Sequence, residues 1–529
     1  MTSRTVLRGG SVVGATGVLR ADVAIQDGLI ADVGHVDARP GDGVVDVSDR
    51  LVLPGFIDAH SHADGLLGDP DVALTLLRQG VTTVIAGQDG VSYAPGSGEY
   101  ASEYFAAING RHPSYRGGGV DAYLASVEGT SAVNAGYLVP AGTVRFEVCG
   151  REDRPAGEDE RRRMQKLVAQ GMAEGALGLS TGLDYAPGIF QDASEIAALC
   201  EPVARAGGVY VTHMRGGYEA NTAAGTGEIA EIARRATERA GATLPVHISH
   251  FHADADIVLA QLAALDAVGV DVTFDAYPYT RGCTLLGMPL LPPEVSALPV
   301  AEAVAVIADP SRRAALRELC TARAVTSASL GPEWAEMITL AHLAAPDLDW
   351  AHGLTLRDAA ARAGVLPIDF ALDALAASRL ECSAVMAVRS PRSGSELARI
   401  FSHPAHMGGS DGIFIGAHPH PRAAGSFSLF LREYVRERAT WAWPDAVHHL
   451  STSPARRFGL GRRGTVEPGA IADLAIVDSA TVADTATYAD PRGRGVGIDD
   501  VFVAGIRVLA EGERTDALPG RGLRRAPRT

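Results

Sequence analysis

Apolar runs that end in polar residues alternate with helical stretches rich in Ala, Leu and Arg through the centre of the chain. This alternation is typical of repeated βα units around a parallel sheet or barrel. We therefore expect an α/β fold with a TIM-like (β/α)8 barrel. The candidate strands are the opening run within 51–64 and the runs 80–87, 134–139, 175–180, 208–212, 244–249, 270–275 and 406–410.

Both ends of the chain read instead as short strands joined by tight turns. Asp27-Gly28 separates two alternating apolar runs, which is a strong hairpin signal, and a similar pattern returns near the C-terminus. We expect residues 1–54 and 462–529 to build one small β-sandwich. Residues 55–461 would then form the barrel domain.

One connection in the barrel region is too long for a normal βα unit. Residues from about 285 to 400 carry helices of their own, including 301–307 and 356–363. We expect an inserted subdomain here, and insertions at the catalytic rim of a barrel often act as lids.

Charge and cysteine content narrow the function classes. The 529 residues contain 47 Lys+Arg against 63 Asp+Glu, a net charge of −16 that disfavours nucleic acid as a partner. The five cysteines are scattered and lack Cys-x-x-Cys spacing, which indicates neither a disulfide framework nor a thiolate zinc site. With no secretory apolar core and no run of about 18 apolar residues, we expect no membrane span and a cytoplasmic enzyme.

Histidines and aspartates stand where the candidate strands end. His60 and His62 alternate with one residue between them, so in a strand both imidazoles would project to the same side. A bare His-x-His is more often a hydrogen-bonded pair, and single residues such as a turn aspartate or a core histidine have equally plain explanations. Together, however, the six strand-end groups suit zinc, which accepts nitrogen and oxygen ligands. They are His60, His62, Asp89, His213, His250 and Asp411.

Longer motifs follow one another along almost the whole chain. They are Pro54–Asp64, Arg78–Val84, Gly175–Gly188, Thr212–Arg215, Ile248–His250, Asp275–Tyr279, Gly409–Gly412, His420–Arg422, Ser453–Leu460 and Gly464–Leu474. In this order they resemble the amidohydrolase superfamily and, within it, the N-acyl-D-amino acid deacylase (D-aminoacylase) family. The Ser-Thr-Gly-Leu-x-Tyr-x-Pro-Gly and His-Pro-Arg patterns are the ones most specific to the deacylases.

The resemblance implies a zinc enzyme with one tightly bound ion and a second, weaker or unoccupied metal position. His213 and His250 correspond to the tight ligands. The groups of the second position would be His60, His62 and Asp411. In the family a cysteine in an Asn-Cys-Gly turn completes the cluster, whereas this chain has Gln88-Asp89-Gly90. Asp89 is a competent but harder ligand than a thiolate; the alternative is that the ligand and the activity are lost.

The implied substrate residues also depart from the family pattern. His252 stands where the family has a lysine that helps to hold the substrate carboxylate, and Cys283 stands where it has a serine. Tyr277 and Arg422 are retained, and Arg422 either grips a carboxylate or forms a structural ion pair. Tyr185 corresponds to the tyrosine near the scissile carbonyl, with packing at the barrel rim as its alternative.

We therefore expect metal-assisted hydrolysis of an amide C–N bond in a small molecule, above all the deacylation of an N-acyl-D-amino acid. Asp411 would act as general base and then as general acid. Two alternatives remain at this point: a cyclic amide hydrolase or deaminase of the same superfamily, and a catalytically silent metal-binding scaffold. The sequence leaves open whether the protein is a monomer or a homodimer.

Overall fold

The computed structural model describes residues 4–218, 220–327 and 329–526 of the chain. The N-terminal part forms short strands whose apolar residues alternate between faces. They are β1 (Thr5–Arg8), β2 (Ser11–Gly14), β3 (Gly17–Arg20), β4 (Asp22–Gln26), β5 (Leu29–Gly34), β6 (Gly43–Asp46) and β7 (Leu51–Pro54). The Asp27-Gly28 turn joins β4 and β5 as an antiparallel hairpin, as the sequence predicts.

The next segment alternates buried strands with helices. Its elements are β8 (Phe56–Asp58), α1 (Pro70–Leu77), β9 (Val81–Ala86), α2 (Glu99–Tyr104), α3 (Ala106–Asn109), α4 (Val120–Val127), β10 (Asn134–Pro140), α5 (Ala141–Cys149), α6 (Glu158–Ala173), β11 (Gly178–Gly182), α7 (Ala193–Arg205), β12 (Val209–His213), α8 (Thr222–Ala240), β13 (Val246–Ile248), α9 (Ala255–Ala267) and β14 (Val272–Ala276). All residues of β9, β10 and β11 are buried, as expected for parallel strands covered by helices.

The insertion has its own small antiparallel sheet and apolar core. Its elements are β15 (Gly282–Leu285), α10 (Pro293–Ser296), α11 (Val300–Ala308), α12 (Arg313–Thr326), α13 (Trp334–Met337), β16 (Ile338–Leu343), α14 (Leu356–Ala363), α15 (Pro367–Ala377) and β17 (Cys382–Met386). The strands pair in the order β15-β17-β16, and a separate cluster of buried residues packs the helices against them.

The chain then returns to the barrel and finishes with strands. These elements are α16 (Gly394–Phe401), β18 (His406–Gly408), α17 (Arg422–Leu429), α18 (Trp443–Val447), α19 (Ser453–Arg457), β19 (Leu474–Val477), β20 (Ile498–Val503), β21 (Ile506–Ala510), β22 (Glu513–Arg514) and β23 (Gly522–Leu523). Short 3-10 and π-helical segments cover Gly188–Phe190, Pro346–Ala351, Phe430–Glu437 and His448–Thr452.

In the described part of the chain, eight parallel strands run in the order β8-β9-β10-β11-β12-β13-β14-β18. The first and last of them meet, because the Ala59 amide donates to the Gly408 carbonyl at 3.1 Å and the Asp411 amide donates to the His60 carbonyl at 2.8 Å. The predicted (β/α)8 barrel is confirmed. Its carboxyl-terminal strand ends therefore gather around one rim, where barrel enzymes place their catalytic groups.

Strands from both chain ends make the predicted sandwich. One sheet has the order β5-β4-β1-β6, and the other has the order β22-β21-β20-β19-β7-β2-β3. A common apolar core that includes Val23, Val52, Leu474 and Phe502 lies between them. The domain limits at 54/55 and 461/462 stay a prediction, and residues 1–3 and 527–529 lie outside the described residues. No helix in the described ranges has the length and apolar character needed to cross a membrane.

Candidate metal centre and substrate cavity

The six predicted ligands come together at the carboxyl-terminal rim of the barrel. His60 and His62 follow β8, Asp89 follows β9, His213 ends β12, His250 follows β13 and Asp411 follows β18. All six are buried. Three of the turns that carry them have left-handed backbone, with φ of 54° at Asp89, 32° at His250 and 49° at Asp411. Such backbone is uncommon for residues other than glycine and clusters at functional sites.

Asp89 lies between two pairs of imidazoles. Its Oδ1 is 3.6 Å from His60 Nε2 and 3.8 Å from His250 Nε2. Its Oδ2 is 3.6 Å from His62 Nε2 and 3.8 Å from His213 Nδ1. The ligand atoms of His60, His62 and Asp89 lie within 4.8 Å of one another, and so do those of Asp89, His213 and His250. Asp89 therefore belongs to both groups of three.

Three of these histidines use their other ring nitrogen to contact a polar side chain outside the cluster. The contacts are His60 Nδ1 with Asp275 Oδ2 at 3.4 Å, His62 Nδ1 with Asn109 Oδ1 at 2.9 Å, and His213 Nε2 with Asp184 Oδ2 at 3.2 Å. Metal-binding histidines commonly have such a partner, which fixes the ring and leaves one nitrogen for the ion. Asp275 also accepts from the His250 amide at 2.9 Å and so supports two ligands.

Two buried atoms in the cluster lack a hydrogen-bond partner among the residues that the structure describes. They are His60 Nε2 and Asp89 Oδ1, which are 3.6 Å apart. Leaving polar atoms buried without a partner costs free energy, and a cation between them would satisfy both. The donor set of imidazole and carboxylate thus fits zinc.

Electrostatics in the cluster favour a cation. Burial alone would raise the pKa of the Asp89 carboxyl, but the charge of His60 and hydrogen bonds from His250 and His62 outweigh it and hold that pKa well below its usual range. Conversely, burial opposes a charged His62, yet Asp411 and Asp89 raise the pKa of His62 to about 10. The negative charge of the carboxylates keeps these imidazoles protonated. The same charge would attract a metal ion, which would displace those protons.

Asp411 faces the cluster on one side and an arginine on the other. Its Oδ1 is 3.3 Å from His62 Nε2, while its Oδ2 is 2.8 Å from Arg422 Nη2. Arg422 Nε also donates to the Asp411 carbonyl at 2.6 Å, and Arg422 is 1% exposed. Burial opposes ionisation of Asp411, but chiefly the Arg422 charge lowers its pKa. The structure therefore contains the ion pair that the sequence leaves as one alternative for Arg422.

A cavity of about 200 Å³ lies over the cluster. Apart from His60, which is fully buried, every predicted site residue contributes to its wall. Other wall residues come from the insertion, including Met386, Val388 and Arg392. The insertion thus closes one side of the cavity, consistent with its predicted place at the rim.

The predicted substrate residues have defined neighbours. Tyr185 Oη lies 2.9 Å from Thr284 Oγ1, and its ring packs edge-on against Phe105 at 5.0 Å, so the tyrosine packs at the rim and also lines the cavity. The His252 ring lies 4.1 Å from that of Tyr277. Burial raises the pKa of the Cys283 thiol to about 12, which keeps it protonated.

Sequence reasoning misses several groups at this site. Asp184 and Asp275 stand inside the quoted motifs, and their position beside strand ends could have indicated them. Asn109 and Arg392 carry no such signal, because each lies in a connection whose path only the tertiary structure reveals.

Asp184→Asn tests the role of these outer partners. The amide would keep the size of Asp184 but lose the charge that orients His213, so we expect zinc affinity or turnover to fall about 10- to 100-fold. Titration of the metal-free protein with zinc measures the affinity. An unchanged affinity and turnover would show that His213 needs no such support.

A buried carboxylate between paired imidazoles at the rim of a (β/α)8 barrel, beside a second carboxylate, is an arrangement typical of a metal-dependent hydrolase. The family model described as "Amidohydrolase family" matches residues 43–509, and the chain belongs to that family.

Its full-length relatives include deacylases of N-acyl-D-amino acids. It is 31% identical to N-acyl-D-glutamate deacylase of Alcaligenes xylosoxydans xylosoxydans, over 98% of this chain and 96% of that one. The crystal structure of D-aminoacylase matches with a TM-score of 0.81 and 30% identity, covering 98% of this chain and 99% of that one. N-acyl-D-glutamate deacylase from Bordetella bronchiseptica, complexed with zinc and a phosphonate mimic of the tetrahedral intermediate, matches with a TM-score of 0.79, 30% identity and the same coverage.

Proposed function

We propose that this protein is a zinc-dependent amidohydrolase that removes the acyl group from N-acyl-D-amino acids. The observation that carries the proposal is the Asp89-centred cluster with Asp411 beside it, at the floor of a cavity sized for a small molecule. The full-length similarity to deacylases of N-acyl-D-amino acids supports the substrate class. Cytoplasmic location stays a prediction.

Asp89, His213 and His250 would hold the tightly bound zinc ion, and His60 and His62, with Asp411 nearby, would form the weaker position. When bound, zinc polarises the amide carbonyl and makes water a better nucleophile near neutral pH. Asp89 would serve both positions, since each of its oxygens faces one imidazole of each pair.

Asp411 would move the proton. Its carboxylate takes a proton from the attacking water and delivers it to the amide nitrogen, so that the amine leaves neutral and the acyl group leaves as a carboxylic acid, which then loses its proton to solvent. The Arg422 guanidinium holds Asp411 in place by contacting both the carboxylate and the backbone carbonyl of Asp411. The ion pair keeps Asp411 ionised and therefore able to accept the proton.

The wall residues would orient the substrate. The Tyr185 ring lies 5.2 Å from the His213 ring, and Tyr185 would contact the scissile carbonyl. Tyr277 and His252 form an aromatic wall, and Cys283 contributes a protonated thiol in place of a hydroxyl.

A substrate panel tests the proposal. N-acetyl derivatives of D-amino acids, their L-forms, dipeptides and cyclic imides should be compared on the zinc-loaded protein. We expect hydrolysis of the N-acetyl-D-amino acids with release of acetate. Preferential turnover of cyclic imides would support the cyclic amide hydrolase instead, and turnover of none would support the silent scaffold.

Metal removal tests the cofactor. Because the ligands are buried between carboxylates, we expect a chelator to abolish turnover slowly and zinc to restore it. Metal analysis before and after chelation gives the number of ions per chain. Full turnover by a protein shown to be metal-free would contradict the zinc mechanism.

A further inference from the structure

Among the described residues, three arginines line the cavity, and they differ in what they contact. Arg422 is paired with Asp411 at 2.8 Å. Arg281 is partly buried, and its guanidinium lies over the Tyr488 ring at 4.2 Å. Arg392 is 9% exposed and reaches the cavity from the insertion.

Arg392 occupies a fixed position in the chain. It ends the connection between β17 and α16 and directly precedes Ser393, the N-cap of α16. Ser393 and Glu396 form a capping box, in which the Ser393 amide donates to Glu396 Oε2 at 2.8 Å and the Glu396 amide donates to Ser393 Oγ at 3.3 Å. Such a box fixes the backbone where a helix begins. The Arg392 side chain is thus directed into the cavity by an ordered backbone.

His252 holds the Arg392 guanidinium. Arg392 Nη2 lies 3.1 Å from His252 Nδ1, and because a guanidinium can only donate, Nδ1 must be the acceptor. The His252 ring in turn lies 4.1 Å from the Tyr277 ring. The Arg422 guanidinium lies 4.6 Å from the centre of the same Tyr277 ring. A continuous row of contacts therefore runs from Asp411 through Arg422 and these rings to Arg392.

Among the residues that the structure describes, the carboxylates of the cavity wall each face a histidine or an arginine. Asp89 and Asp184 face histidines, and Asp411 faces Arg422. An anionic ligand in the cavity would therefore find its complementary charge among the arginines. A planar guanidinium held by a neighbour can bind a carboxylate through two parallel hydrogen bonds.

We propose that Arg392 binds a carboxylate of the substrate, with His252 as its positioning residue. This rests on the proposed function, since an N-acyl amino acid carries a carboxylate close to its amide. Arg392 then supplies the positive charge that His252, a weaker anchor for a carboxylate than lysine, does not supply. The bound carboxylate is either the α-carboxylate or that of an acidic side chain.

Arg392→Gln, Arg392→Lys and Arg389→Gln should be compared with the wild type. Arg389 is exposed on the same connection and is absent from the cavity wall, so its variant controls for the loss of one charge. The substrates are N-acetyl-D-methionine, N-acetyl-D-glutamate and the neutral carboxamide of N-acetyl-D-methionine. Thermal unfolding shows whether each variant is folded.

For Arg392→Gln we expect KM for N-acetyl-D-methionine to rise about 10- to 100-fold, as expected for loss of a charge-assisted hydrogen bond, with a smaller change in kcat. Arg392→Gln should turn over the carboxamide with the same kcat and KM as the wild type. Arg392→Lys should recover part of the affinity for the acids, and Arg389→Gln should change neither kcat nor KM. An increase in KM for both acids identifies the α-carboxylate, and an increase for N-acetyl-D-glutamate alone identifies the side-chain carboxylate.

Two outcomes would overturn the inference: unchanged KM values for both acids, or an equal increase in KM for the acids and for the carboxamide. If the wild type hydrolyses none of the three compounds, the proposed function fails, and calorimetric binding of N-acetyl-D-methionine to the zinc-loaded protein decides the role of Arg392. Weaker binding by Arg392→Gln than by the wild type supports that role. Equal binding, or no binding by the wild type, overturns it.

Discussion

Asp411→Asn is expected to lower kcat for N-acyl-D-amino acids about 10²- to 10⁴-fold, the range that a general acid–base group contributes. The amide cannot accept the proton from water or return one to the leaving nitrogen. Zinc content should stay close to that of the wild type, because the tight position rests on Asp89, His213 and His250. Turnover and metal content measured on the same preparation check both expectations.

The buried ion pair predicts that the same variant also loses stability. Arg422 would face a neutral amide while it is 1% exposed, and removing one partner of a buried pair costs about 3–5 kcal/mol. The amide oxygen can still accept from Arg422, so we expect a smaller loss in the free energy of unfolding. The double variant Asp411→Asn/Arg422→Met should unfold at a higher temperature than either single variant and remain inactive.

Turnover and thermal unfolding together distinguish a catalytic role of Asp411 from a purely structural one. A folded, zinc-containing Asp411→Asn protein with wild-type turnover would remove Asp411 from the mechanism. A double variant less stable than both single variants would show that the pair does not govern stability at this site.

Much of the fold can be predicted from the sequence, because the spacing of apolar residues along a strand or helix is a local property of the chain. Buried parallel strands leave apolar runs such as that of β10, and a helix such as α14 is found with the predicted bounds. Strand ends can then be listed, and a barrel brings them to one rim whatever their separation in sequence. The six candidate ligands follow from that rule together with the family motifs.

The remaining parts of the site depend on tertiary contacts. That Arg422 pairs with Asp411 while it also lines the cavity depends on where the tertiary structure places the start of α17. Arg392 lies in a long insertion, and no regular spacing of apolar residues in the sequence predicts which part of it reaches the cavity. Asn109, which contacts His62 at 2.9 Å, lies in a short helix 47 residues further along the chain.

Asp89→Asn is expected to lower zinc affinity by more than about 100-fold, beyond the effect of changing an outer partner, and to abolish most turnover. Asparagine keeps the shape of the side chain and tolerates the left-handed backbone, since φ at this position is 54°. What is lost is the negative charge that four imidazoles share. Zinc titration and thermal unfolding of the metal-free variant distinguish lost affinity from lost folding.

Asp89→Cys places at this position the cysteine that the family resemblance implies there, and it tests whether the natural aspartate is a working ligand. If Asp89 is a working ligand, the cysteine variant should bind zinc, and both it and the wild type should turn over substrate, because carboxylate and thiolate can each complete the set with His213 and His250. The softer thiolate should shift metal preference towards zinc over harder ions such as Mn²⁺. If the aspartate instead marks a lost ligand, the wild type should be inactive and only Asp89→Cys should gain zinc and turnover. The oxygen positions of Asp89, each facing two imidazoles, favour the first outcome.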